Sequence, residues 1–258
     1  MSFDALVIAA HPDDAESQMG GTLAKLADRG QRILLVDLSD GEPTDFGARG
    51  ERAAQAAQAA RVLGVERICM GMQDRLIADT QSARIEVARL VREHQPRWVY
   101  GTGEACVHPD HEAASSIVRA GVFLARLENW DRVPGGERLG DQKPWKIDRL
   151  FFPHCKMEPG WSDTAFAVDV SEVYDRKRAA LAAYTSIFTP NDGLLALYEA
   201  EDQFFGRMAG VAYAEIFKAA SLLMVDDPTV FLPGIQGEAA ARPLAPRPSL
   251  RSGPAVPR

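Results

Sequence analysis

Ala5-Leu6-Val7-Ile8-Ala9-Ala10 runs directly into His11-Pro12-Asp13-Asp14-Ala15-Glu16. The first six residues are apolar and too few for a helix, so they read as a strand buried on both faces. The next six are mostly polar and form a turn that feeds a helix. The pattern repeats downstream. Apolar runs at Ile33–Leu38, Arg67–Gly71 and Arg97–Gly101 alternate with helical spacing at Thr22–Asp28, Glu51–Leu63 and Ser82–His94. Gly30, Gly64 and Pro96 stand where those helices should stop. Strands alternating with helices predict an α/β, Rossmann-like domain with a mostly parallel sheet and helices on both faces.

Further along, Glu112–Arg126 reads as a helix and Asn129–Lys146 as a long surface loop, a candidate lid. Asp148–Pro153 and Ala165–Val170 read as strands, and Ser171–Ser186 and Leu194–Lys218 as helices. Residues 1–235 are expected to form one domain. The Pro/Arg-rich segment 236–258 has little apolar periodicity and reads as a disordered tail.

The chain has 258 residues, a net charge of -7 and 46% hydrophobic content, which supports a sizeable core. The acidic balance argues against a nucleic-acid partner. No apolar run reaches the roughly 20 residues of a membrane span, and the N-terminus lacks the basic region of a signal peptide. Cys69, Cys106 and Cys155 are far apart and form no CxxC pair, so they read as scattered reduced thiols of a cytoplasmic protein.

In an open α/β sheet ligands bind beyond the carboxyl ends of the strands. Four successive exits carry polar groups: His11–Glu16, Ser39–Glu42, Gln73–Arg75 and Glu104–His111. Of five histidines, His11, His108 and His111 lie in two of these exits, beside aspartates. His11 and Asp14, three apart on a turn stiffened by Pro12, can face one centre, and His111 can supply a third ligand. Two imidazoles and a carboxylate leave positions open for water and substrate. Each motif alone also suits a capped helix start, with Asp110 as one cap. Together they favour a metal site. His94 reads as a helix C-terminal dipole partner and His154 as structural.

Ala10-His11-Pro12-Asp13-Asp14, Gly20-Gly21-Thr22 and His108-Pro109-Asp110-His111 resemble the PIG-L/LmbE-like metal-dependent N-deacetylases in order and spacing. Phe166–Ser171, Ala183–Ser186, Phe205-Gly206 and Tyr213-Ala214-Glu215 look like the bacillithiol-pathway branch, which deacetylates N-acetylglucosaminyl-malate. The resemblance implies Zn2+, with Fe2+ as an alternative, held by His11, Asp14 and His111. It implies Asp13 as general base, His108 as oxyanion donor or acid, and Arg52 and Asp74 as substrate-binding residues. It also implies a small N-acetylated amino-sugar glycoside as partner and a homo-oligomer. The chain departs from that branch at Glu199–Gln203, at Ile187 and at Val107. The acidic 199–203 segment offers no arginine to malate carboxylates. Gly20 and Gly21 would let their helix pack close beside the site.

Other chemistries share the ligand set: a non-haem iron oxygenase, or a hydratase or lyase. A nonenzymatic nucleotide-binding domain lacks support, since no G-x-G-x-x-G follows the first strand and there is no Walker lysine.

Overall fold

The computed structural model describes residues 2–225 apart from 44–45, 104–105, 134–135, 157, 159–160, 162 and 192. The expected tail, 236–258, lies outside the described residues. Strand β1 (Ala5–Ala9) is central, with β2 (Ile33–Ser39) and β3 (Glu66–Met72) on one side and β4 (Trp98–Tyr100) and β5 (Arg149–Pro153) on the other. These five run parallel. Two further strands, β6 (Phe166–Asp169) and β7 (Ala214–Ala219), complete the order β3-β2-β1-β4-β5-β7-β6. Strand β7 pairs antiparallel with both β5 and β6.

Alternate side chains of β1 enter separate cores, as the two-residue period of a strand requires. Leu6 and Ile8 pack with residues of α3 (Gln81–His94) and α4 (Pro109–Ala125). Ala5, Val7 and Ala9 pack with residues of α1 (Asp14–Asp28), α2 (Glu51–Leu63) and α5 (Tyr174–Ala182). The expected α/β sandwich is therefore present, and it places the reversal of strand order at β1 and β4. Their carboxyl ends flank the crevice where such sheets bind ligands.

Helix α1 begins at Asp14, well before the apolar periodicity at Thr22, and kinks at Met19. The kink frees the Gly21 and Thr22 amides, which donate to the Glu215 carboxylate at 2.9 and 2.7 Å. Glu215 comes from β7, a segment expected to continue a helix. That helix, α7 (Leu194–Ala209), instead ends at Gly210, whose φ of +81° favours glycine. The Lys177 ammonium, fully buried, bonds Glu215 at 2.7 Å and Asp202 at 2.7 Å. A Cβ on Gly21 would stand 2.6 Å from the Val170 side chain. The close approach expected of this glycine is thus to the chain after β6.

The expected helix over 171–186 is broken into a 3-10 turn at Ser171–Val173, then α5, then α6 (Thr185–Phe188). The break turns Tyr184 inward, where its hydroxyl donates to Glu16 at 2.7 Å. The 129–146 loop is not a lid: Trp145 donates from Nε1 to the Pro96 carbonyl and from its amide to the Ala125 carbonyl. Both acceptors lie at the end of the sheet opposite His11. Among the described residues no helix is long and apolar enough to cross a membrane.

Candidate metal centre

The turn after β1 is held from three sides. Asp13 adopts φ +109°, a conformation rare outside glycine and costly unless the surroundings fix it. Arg52, from α2, fixes it: its Nε and Nη2 donate to the Pro12 carbonyl at 3.2 and 2.7 Å, and Nη2 also donates to Asp13 Oδ1 at 2.9 Å. Behind the turn, Arg67 bridges Glu16 of α1 to Asp37 of β2. The His11 amide donates to Asp14 Oδ2 at 2.9 Å, which orients that carboxylate.

This scaffold brings the predicted ligands together. His11 Nδ1 lies 3.3 Å from Asp14 Oδ2, and His111 Nε2 lies 3.1 Å from Asp14 Oδ1. Donor atoms of His11, Asp14 and His111 all fall within 4.8 Å of one another. Ligands about 2.0–2.1 Å from a tetrahedral zinc ion stand about 3.3 Å apart, so the donor set fits a divalent cation.

The electrostatics agree. Burial opposes protonation of His11 and His111, but Asp14 overcomes it and pushes them to about 9 and about 11. Burial works against ionisation of Asp14 too, yet the two imidazoles hold it well below the usual carboxylate range. The pocket thus favours positive charge, and a bound cation would replace the imidazole protons.

The other predicted residues crowd around this set. The His108 ring stacks on His111 with centroids 4.7 Å apart. Its Nδ1 accepts the Asp110 amide at 3.2 Å, so the neutral ring carries its proton on Nε2. Burial, with the charges of His111 and His11, lowers its pKa and favours that neutral form. Burial raises Asp13 to about 6, against the pull of Arg52. Asp74 places Oδ1 3.0 Å from His11 Nε2. Arg52 is engaged by Pro12 and Asp13, as above.

Sequence reasoning missed four contributors. Asp110, expected to cap α4, instead places Oδ2 3.1 Å from His11 Nε2, and His108 is the cap. A carboxylate behind a ligating imidazole fixes its tautomer and orientation. Cys106 and Cys155 are not scattered thiols; only Cys69 stands apart from them. Cys106 Sγ lies 2.9 Å and Cys155 Sγ 3.7 Å from His111 Nδ1. A hydrogen bond from Cys155, with the His111 imidazole, holds the Cys106 thiol down to about 5. The parallel neighbours β4 and β5 deliver the two cysteines to one end of the sheet, which no local spacing reveals. Lys156, buried between Asp202 and Glu201, is the fourth. His154 is tied to Glu201 at 3.0 Å, and His94 packs edge-on against Phe3.

A cavity of about 440 Å³ opens beside this cluster, lined by Asp14, His111, Cys106, Cys155, Lys156 and Tyr198 among others. Another of about 480 Å³, against α3, is lined by no histidine, cysteine or aspartate. The first adjoins the donor set and is the substrate-sized space of interest.

Residues 6–122 match the PIG-L family, described as GlcNAc-PI de-N-acetylase. A conserved protein of Thermus thermophilus is 36% identical, with a TM-score of 0.76, over 86% of this chain and 97% of its own. The diacetylchitobiose deacetylase of Thermococcus kodakarensis is 28% identical over 229 residues, 81% of this chain and 80% of the relative. The 4-oxalmesaconate hydratase of Pseudomonas putida is 25% identical over 190 residues, 69% of this chain and 71% of the relative. With the shared motifs and fold, this chain belongs to the PIG-L family.

Proposed function

We propose that this chain is a metal-dependent N-deacetylase of an N-acetylglucosamine derivative. The observation that carries the reading is the convergence of His11, Asp14 and His111 donors beside Asp13, whose carboxylate is poised near neutrality. The family match and the chitobiose-deacetylating relative support the same reaction class.

A divalent ion held by His11, Asp14 and His111 would acidify a water and polarise the acetamide carbonyl. Asp13 takes the proton from the attacking water, its pKa of about 6 suiting a base at neutral pH. His108 donates from Nε2 to the oxygen of the tetrahedral intermediate, a contact typically worth about 2.7–4 kcal/mol. Protonated Asp13 then delivers its proton to the leaving amine. Arg52 holds Asp13 in place, and Asp74 reaches either His11 or a sugar hydroxyl. Zinc is the proposed metal, with Fe2+ as the alternative, and a homo-oligomer the proposed assembly.

The narrower proposal is the malate glycoside of bacillithiol biosynthesis, supported by the resemblance over 166–171 and 183–186. The acidic 199–203 segment weighs against it, since Glu201 and Asp202 already engage His154 and Lys156. The hydratase relative favours a second reading, water addition to an unsaturated tricarboxylate such as 4-oxalmesaconate. An acetate-release assay over diacetylchitobiose, N-acetylglucosaminyl-inositol and N-acetylglucosaminyl-malate, with 4-oxalmesaconate alongside, tests all three. Acetate from any glycoside supports deacetylation. Hydration of 4-oxalmesaconate with no acetate overturns it.

A further inference from the structure

We propose that Cys106, Cys155 and Nδ1 of His111 form a second, sulfur-rich site for a divalent cation in the wall of the same cavity. The three donor atoms lie within 4.8 Å of one another. Zinc bonds of about 2.3 Å to sulfur and 2.0–2.1 Å to nitrogen set a tetrahedral S···N edge of about 3.6 Å. The observed separations, 2.9 Å from Cys106 and 3.7 Å from Cys155, lie on either side of that value. Small side-chain rotations bring both sulfurs into range.

The site is distinct from the His11–Asp14 pair because an imidazole presents its two nitrogens in different directions. Nε2 of His111 faces Asp14 at 3.1 Å, while Nδ1 faces the thiols. One ring can therefore serve two ions. A ring bonded to both gives up its remaining proton, and each thiol gives up its own. Cysteine sulfur selects borderline and soft cations over Mg2+ or Ca2+. Glu158 lines the same cavity, and its Oε1 accepts the Val107 amide at 2.9 Å, which holds a carboxylate close to the thiols. A water or Glu158 completes the coordination. Cys106 and Cys155 both line the cavity, so the site is accessible from it.

The inference does not depend on the deacetylase reading, and cobalt tests it without any turnover assay. Apo-protein is titrated with Co2+ under nitrogen with a phosphine reductant, and sulfur-to-cobalt charge transfer is followed in the near ultraviolet. Wild type is expected to bind two equivalents and to develop the band. The Cys106→Ser, Cys155→Ser double variant is expected to bind one equivalent without it, although Cys69 is retained. His11→Ala is expected to keep the band. Circular dichroism matching wild type establishes that each variant is folded, and the single cysteine variants serve if the double is not. The absence of the band in wild type, its persistence in the double variant, or its loss in His11→Ala overturns the proposal. The last result would make sulfur a ligand of the first ion.

Discussion

The Arg52 guanidinium donates to Asp13 Oδ1 at 2.9 Å while also holding the Pro12 carbonyl, so one side chain fixes both the strained turn and the charge of the proposed base. Arg52 lowers the Asp13 pKa, against the burial that raises it to about 6. Asp13 must be ionised to accept a proton, so turnover should rise with pH through its pKa. Arg52→Ala removes the neighbouring positive charge, and the acidic limb of kcat/KM should move to higher pH. The loss should be larger at pH 6 than at pH 8. A limb that stays in place would detach Arg52 from the base.

Asp13→Asn should retain metal and lose turnover by about 10²–10⁴-fold, the usual weight of a positioned acid-base group. Metal content and acetate release on a single preparation distinguish this from a ligand. His11→Ala should instead lose the ion shared with Asp14.

Asp110 acts on His11 from behind. Replacing such an outer carboxylate typically weakens metal binding about 10–100-fold. Asp110→Asn should do so in a competition titration against a chromogenic chelator. Both forms should bind more weakly as pH falls, since protons compete for His11 and His111.

Lys177 is buried between Asp202 and Glu215, and Glu215 holds the freed amides of the α1 kink. Removing one member of a buried ion pair typically costs about 3–5 kcal/mol. Lys177→Met should lower the urea midpoint correspondingly. A midpoint unchanged from wild type would show that the network contributes nothing to stability.

Local pattern made much of this legible. The helix at Glu51–Leu63 has the bounds expected of it, because its apolar face is periodic and Gly64 stops it with φ +79°. The two histidine motifs could be read because each lies within one short exit. What could not be read depends on distant partners. The first two turns of α1 bury Glu16, Ser17 and Gln18, which look like surface residues until Arg67 and Tyr184 are brought to Glu16. Strand β7 carries a buried Glu215 whose partners come from α1 and α5. Cys106 and Cys155 meet only because β4 and β5 are neighbours.

The most direct measurement is acetate release from diacetylchitobiose by chelator-treated protein, before and after stoichiometric zinc, beside elemental analysis of the same sample. The account predicts no turnover without metal, recovery on reloading, and no recovery in Asp14→Ala. Full turnover by protein shown to be free of metal would contradict it.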